Sequence, residues 1–301
     1  MASTDGPRPA VGDHTLTLPD GRTIGYAVYG DPAGAVVVNC HGGLVSGHDM
    51  APAHDAARAL GLCVVSPDRP GVGRTDRLPD YSMVRWVHAD LVPLLDHLAV
   101  DRFSVMGWSE GGQFALAAAH EAAERVDRCA VIAGCPPLDD GATLKESNQL
   151  DRIFAELAHW APWALRLVAR GTKVFVVRLP GAARRAAVHG MPAAEAQAVN
   201  ELGPWFPQLL AEGAADPEGV VEEYRVIVAP WGFSPEDMTV PVRIYQGTAD
   251  TLVPEKWGRS LAERIPRAEL TLYPGEGHFI ALTRRREVLE WLAQRADDAA
   301  P

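Results

Sequence analysis

The chain of 301 residues predicts an α/β fold: a mostly parallel, eight-stranded sheet with helices on both faces, interrupted by an inserted helical block. Three observations predict it. Short, nearly continuous apolar runs alternate with amphipathic stretches, the pattern of strands buried on both faces by crossover helices. That alternation stops for roughly a hundred residues in the second half and then resumes. Ahead of it, two strand-like segments flank Pro19-Asp20-Gly21, whose tight-turn chemistry predicts an antiparallel hairpin.

In chain order, residues 15–18 and 23–29 are the hairpin strands. Residues 36–40, 63–67, 103–107 and 128–134 are the apolar runs, and 51–60, 82–98 and 111–125 are helix-like stretches between them. Residues 138–238 contain long helical patterns, including 145–169 and 193–210, broken by Gly and Pro and without a strand pair. The strand signal returns at 240–247 and 269–273, and a last helix is expected over 284–295. The domain division that follows is a core of residues 1–137 and 239–301 with a helical cap, 138–238, inserted into it.

Composition narrows the function. With 47% hydrophobic and 22% charged residues the chain reads as an ordinary globular protein. A net charge of −11 speaks against a nucleic-acid partner, which would need a concentrated basic surface. The run Arg284-Arg285-Arg286 is followed by Glu287 and Glu290 and reads as a solvated helix face. No secretory signal and no apolar stretch of membrane-spanning length is seen, so the expectation is a cytoplasmic protein with a small-molecule partner and no membrane partner. Oligomeric state has no signature. Cys40, Cys63, Cys129 and Cys135 have neither C-x-x-C nor metal-ligand spacing and are expected as buried free thiols. No His pair has the H-x-x-x-H spacing of a zinc helix, and neither a metal nor an organic cofactor is expected.

Four motifs carry chemistry. Gly107-Trp108-Ser109-Glu110-Gly111-Gly112 follows one apolar run and opens a small-residue helix, which suits a serine pushed out on a sharp strand-to-helix turn. Cys40-His41-Gly42-Gly43-Leu44 ends an earlier strand. Its Gly43 amide and the Glu110 amide are the candidate oxyanion-hole donors, with His41 shaping the loop. Asp250 stands just past a late strand, in Gln246-Gly247-Thr248-Ala249-Asp250, where a carboxylate can orient a histidine; Asp139 and Asp140 are rival acids. His278, in Gly275-Glu276-Gly277-His278-Phe279, is the candidate base. The chain order Ser109, Asp250, His278 completes a triad.

On these motifs the chain resembles the α/β-hydrolase superfamily, in its serine-nucleophile, capped esterase/hydrolase branch. Asp68-Arg69-Pro70-Gly71-Val72-Gly73-Arg74-Thr75 is similar to that family's loop after the fourth strand. Pro230-Trp231-Gly232-Phe233 with Pro241-Val242 is similar to its return from cap to sheet. The resemblance spans about residues 15–295 and is weaker over the cap. A serine nucleophile departs from the epoxide hydrolase and haloalkane dehalogenase branches, which use aspartate. The resemblance implies an acyl-enzyme route on a small-to-medium apolar ester, thioester or lactone. The same fold and triad also serve C–C bond hydrolysis, cyclisation or acyl transfer, and a non-catalytic ligand receptor is a further alternative. Eight of the fifteen Trp and Phe residues lie in the cap, which supports an apolar pocket above Ser109.

Overall fold

The computed structural model describes residues 10–294. Among them eight strands form one sheet: β1 Gly12–Thr17, β2 Thr23–Gly30, β3 Ala35–Cys40, β4 Leu62–Pro67, β5 Phe103–Trp108, β6 Val126–Ile132, β7 Val242–Gly247 and β8 Ala268–Tyr273. Their order is β1-β2-β4-β3-β5-β6-β7-β8. β2 is antiparallel to both β1 and β4, and every other neighbouring pair is parallel. The expected hairpin forms at Gly21, whose φ of 86° is a left-handed value glycine adopts freely. The Leu18 amide closes the turn onto the Arg22 carbonyl at 2.8 Å.

Successive residues of each parallel strand enter opposite cores, which explains the continuous apolar runs. Val38 and Val105 pack on one face with Trp86, Leu91, Phe114 and Leu261, while Val37 and Met106 pack on the other with Ala57, Val288 and Trp291. All four cysteines are buried and none forms a disulfide. β3 lies between β4 and β5, so the connection leaving β3 runs to β4 on one side while the one leaving β5 runs to β6 on the other. A crevice opens beyond the carboxyl ends of strands at such a reversal.

The stretch expected as one helix over 82–98 is helical but carries a π-turn, Val87–Leu91, between Met83–Trp86 and Val92–His97. Pro93 has no N–H for the Ala89 carbonyl, and Arg22 Nη2 binds that oxygen instead at 3.3 Å. The other Arg22 nitrogen, Nη1, sits 2.7 Å from the buried Asp90 carboxylate. Between β6 and β7 the regular elements are all helical: Gly141–Glu146, Gln149–Trp160, Pro162–Arg178, Pro180–Val188, Ala193–Glu201, Trp205–Gly213, Pro217–Ile227 and the short 3-10 turn Pro235–Asp237. The pattern over 145–169 is therefore not one helix. Asn148 caps the second segment by accepting from the Asp151 amide at 3.0 Å, and Pro162 starts the third, where its missing N–H costs nothing. The pattern over 193–210 breaks at Gly203, with φ 62°, and Pro204. Among the described residues no helix is long and apolar enough to cross a membrane.

Candidate active site

Ser109 directly follows β5, and the helix Gly111–Glu121 begins two residues later. Its φ is 58°, a conformation costing a non-glycine residue about 1–3 kcal/mol, and its amide is pinned to the Ile132 carbonyl at 2.8 Å. The neighbouring glycines are required by close approach. A β-carbon on Gly107 would overlap the Gly111 carbonyl, and one on Gly111 would overlap the carbonyls of Cys40 and His41. The helix start is thereby pressed against the end of β3, so the loop after β3 and Ser109 meet at the sheet edge.

Asp250 follows β7 and His278 follows β8. The Asp250 side chain is fully buried, and its Oδ2 lies 2.9 Å from His278 Nδ1. Its Oδ1 accepts from the amides of Leu252 and Val253 at 2.8 and 2.9 Å. With Nδ1 donating to the carboxylate, Nε2 keeps the lone pair that a general base needs. The two rival acids are placed elsewhere: Asp140 caps the helix Gly141–Glu146 through the Ala142 and Thr143 amides, and Asp139 is exposed. The His278 loop is anchored on three sides. Trp108 Nε1 donates to the His278 carbonyl at 2.9 Å, and Glu195 accepts from the amides of Gly277 and Phe279, the latter at 3.1 Å. Burial raises the Glu195 carboxyl above its ordinary range. Gly277 directly precedes the histidine. Its φ is not left-handed, and its role is space, since a β-carbon there would press on Glu195 and Pro192 at 3.0 Å.

The His41-Gly42-Gly43-Leu44 loop turns at Leu44, φ 56°. His41 is fully buried; burial and the adjacent Arg69 push it well below the ordinary imidazole range, so it is neutral. Its Nδ1 donates to the Gly42 carbonyl at 2.8 Å and its Nε2 accepts from the Arg69 amide at 3.0 Å. Arg69 Nη2 binds the same Gly42 carbonyl at 3.0 Å, and Nη1 binds that of His41. The Gly42 carbonyl and the Gly43 N–H belong to one trans peptide unit and point in opposite directions. Drawing the oxygen toward His41 and Arg69 therefore turns the Gly43 N–H the other way. Neither the Gly43 nor the Glu110 amide meets an acceptor among the described residues.

Arg69 is held by a buried ion pair with Glu223 of the helix Pro217–Ile227, Nε to Oε1 at 2.8 Å, and lies 4.5 Å above the Phe114 ring. The Glu110 carboxyl packs over the Gly43 α-carbon, where a side chain would collide with it. Burial, with Glu223 and Asp151 adding to it, holds Glu110 well above the usual carboxylate range. Its Oε2 is buried without a partner among the described residues.

Ser109, Glu110, Gly43 and His278 border one pocket of about 420 Å³. Its walls are mainly apolar: Leu44, Val45, Trp108 and Phe279 from the sheet side, and Phe175, Val176, Ala183, Phe206 and Leu210 from the inserted helices. Asn148, Asp151 and Tyr224 add polar groups to the lining, with the Tyr224 hydroxyl donating to Asp151 at 3.0 Å. Of the eight aromatics predicted to favour such a pocket, Phe175 and Phe206 line it. Phe154 packs on Tyr224, Trp205 donates to the His48 carbonyl, and Trp231 and Phe233 stack together away from it. Trp160 and Trp163 are exposed.

The model of the alpha/beta hydrolase fold family matches residues 35–284, most of the chain. The chain belongs to the α/β-hydrolase family. Uncharacterized proteins of Mycobacterium tuberculosis and Mycobacterium bovis are 24% identical over 74% of this chain, which spans 64% of their length. A bifunctional esterase/perhydrolase of Acinetobacter calcoaceticus is 25% identical, with 91% of this chain and 95% of that protein aligned. Among solved structures, an enol-lactonase from Burkholderia xenovorans superposes with a TM-score of 0.69 at 17% identity, covering 92% of this chain and 97% of its own; that likeness is one of fold.

Three residues of this α/β-hydrolase site had no assigned role in the sequence: Arg69, Glu223 and Glu195. Arg69 was legible as part of the loop after β4, where an arginine directly follows a buried strand. The two glutamates sit in helical stretches rich in other acids, and only the fold singles them out.

Proposed function

We propose that the protein is a serine hydrolase that cleaves a small-to-medium apolar ester, thioester or lactone through an acyl-enzyme, with Ser109, Asp250 and His278 as its triad. One observation carries this reading: Ser109, held at a strained φ of 58°, and His278, tied at 2.9 Å to a fully buried Asp250, border the same largely apolar pocket. On this reading residues 138–238 are a cap closing the pocket over the core formed by residues 1–137 and 239–301.

His278 Nε2 takes the Ser109 proton as Oγ attacks the carbonyl carbon. The oxyanion is met by the Gly43 and Glu110 amides, two backbone donors without another acceptor among the described residues. The C–O or C–S bond then breaks as imidazolium returns the proton to the leaving oxygen or sulfur. Water, deprotonated by the same imidazole, attacks the acyl-serine, and the acyl C–Oγ bond breaks as the imidazolium returns that proton to Ser109 Oγ and the acid leaves. Every step uses the chain's own groups and water. The names of the aligned esterase/perhydrolase and of the structurally similar enol-lactonase point to the same substrate class.

The test is hydrolysis of p-nitrophenyl esters of rising acyl length by wild type and Ser109→Ala. A loss of about 10⁴-fold or more in kcat for the variant is expected, as for other serine hydrolases stripped of the nucleophile. The length optimum should fall where the acyl chain fills a pocket of about 420 Å³. Wild type inert toward every ester, but covalently labelled at Ser109 by a phosphonate, would move the reading to C–C bond hydrolysis, cyclisation or acyl transfer on the same triad.

A further inference from the structure

The helix Pro162–Arg178 is apolar on the side that faces water. Positions 163, 167, 170, 174 and 177 fall on one stripe at helical spacing, and all are exposed. Four of the five are apolar, with Trp163 64%, Leu167 57%, Val174 52% and Val177 61% exposed. The opposite side, with Leu165, Ala169 and Val176, is buried in the ordinary way. At the turn leading into this helix, Trp160 is 81% exposed. A surface helix is normally polar on its outer side, and a contiguous apolar stripe there marks a contact surface.

Charge identifies the occupant. Between Glu156 and Glu195 the sequence has no Asp or Glu but six Lys or Arg, in a chain whose net charge is −11. Arg166 is paired with Glu218, whereas Arg170, Arg178 and Arg185 are exposed and have no carboxylate partner among the described residues. Exposed Trp and Leu interleaved with unpaired arginines match an anionic lipid surface, where indoles sit at the head-group level and guanidinium groups meet phosphates. A symmetric contact with a second copy would instead set this basic stretch, which has no Asp or Glu of its own between Glu156 and Glu195, against an identical one and leave the arginines without carboxylates. The surface also adjoins the pocket. Phe175, on this helix, lines the pocket and is 42% exposed, as are the lining residues Leu150, at 55%, and Leu252, at 41%.

We propose that this face docks on anionic lipid, presenting the pocket rim to the apolar phase. The sequence predicted no membrane partner from its lack of a spanning segment, but a helix lying in the interface needs none. The inference goes beyond the hydrolase reading and does not rest on it, because binding is measured without turnover.

The experiment is co-sedimentation of the full chain with vesicles of phosphatidylcholine alone or mixed equally with phosphatidylglycerol. Binding to the mixed vesicles, released by salt of about 1 M, is expected. Each of Arg170→Gln, Arg178→Gln and Arg185→Gln should weaken it about fivefold, and the triple variant about a hundredfold. Trp163→Ser should also weaken it. None of these residues lines the pocket, so turnover of a short p-nitrophenyl ester should stay at the wild-type rate. The proposal is overturned if the wild type does not bind the mixed vesicles, or if the triple variant binds them as well as wild type. A dimer seen by light scattering that Trp163→Ser dissolves would also overturn it and assign the face to self-association.

Discussion

Arg69 is the residue on which geometry and stability meet. Its guanidinium holds the Gly42 carbonyl, and so the direction of the Gly43 amide, while its charge is balanced by Glu223 in a site closed to water. Arg69→Met should therefore do two kinds of damage. Leaving Glu223 buried and unpaired should cost about 3–5 kcal/mol. Releasing the Gly43 peptide should lower kcat by about 10²–10³-fold, the worth of one oxyanion donor. The double variant Arg69→Met/Glu223→Leu separates them: urea unfolding should show most of the stability restored, while kcat stays low. Full kcat in the double variant would show that Arg69 does not position the amide. Glu195 poses the same question at the histidine. Its two oxygens serve two loop amides, and Glu195→Gln leaves one of them facing an NH₂ group. A small displacement of the imidazole should lower kcat by about 10–100-fold with KM little changed, read from steady-state kinetics on one ester.

At the scale of elements, the site is made by the reversal of strand order at β3, which brings the Gly43 loop beside the Ser109 turn. The strands were legible because burial on both faces writes itself into consecutive residues. The helix boundaries of the insertion were less so: Asn148 and Ser147 interrupt a periodic pattern only because the fold turns there. The tie between the first crossover and the inserted helices was not legible at all. His48 Nδ1 lies 2.7 Å from Glu212 on the helix Trp205–Gly213, and its Nε2 lies 2.8 Å from Asp13. Hydrogen bonds to Glu212 and Asp13 raise His48 to about 9. The folded pKa thus exceeds the unfolded value near 6.5, so this contribution to stability is complete below about 6.5 and is lost as pH rises through about 9. Asp49, raised to about 7 by burial beside Asn39, slopes the same way but over the range from about 4 to 7. Urea midpoints should therefore fall between pH 6.5 and 9.5 in wild type, and His48→Gln should flatten that fall. An equal slope in the variant would assign the alkaline loss to other groups.

In the whole molecule, the pocket belongs to neither the sheet nor the inserted helices alone, and neither do the ties across it. Arg69 and Glu223 are 154 residues apart, and Glu195 is 82 residues from Gly277. Periodicity is local and reveals elements; partners this distant leave no trace in a window of sequence. That is why the motifs around Ser109, Asp250 and His278 could be read and the distant groups bonded to their loops could not. The same ties bear on how the protein unfolds. If the inserted helices came away first, Arg69 would lose its carboxylate, the Gly277 and Phe279 amides their acceptor, and the apolar walls contributed by Leu44, Trp108 and Phe279 would meet water. Each loss falls on the core as well as on the helices that leave, so a state with the core intact and the helices unfolded is disfavoured. One cooperative transition is expected, with Trp fluorescence and far-UV circular dichroism coinciding and the calorimetric enthalpy equal to the van't Hoff value. Arg69→Met/Glu223→Leu should keep that single transition, since it replaces an ion pair across the boundary with apolar contact. Two resolved transitions in wild type would mean that the inserted helices melt on their own, and that the pocket opens by local unfolding of its upper wall.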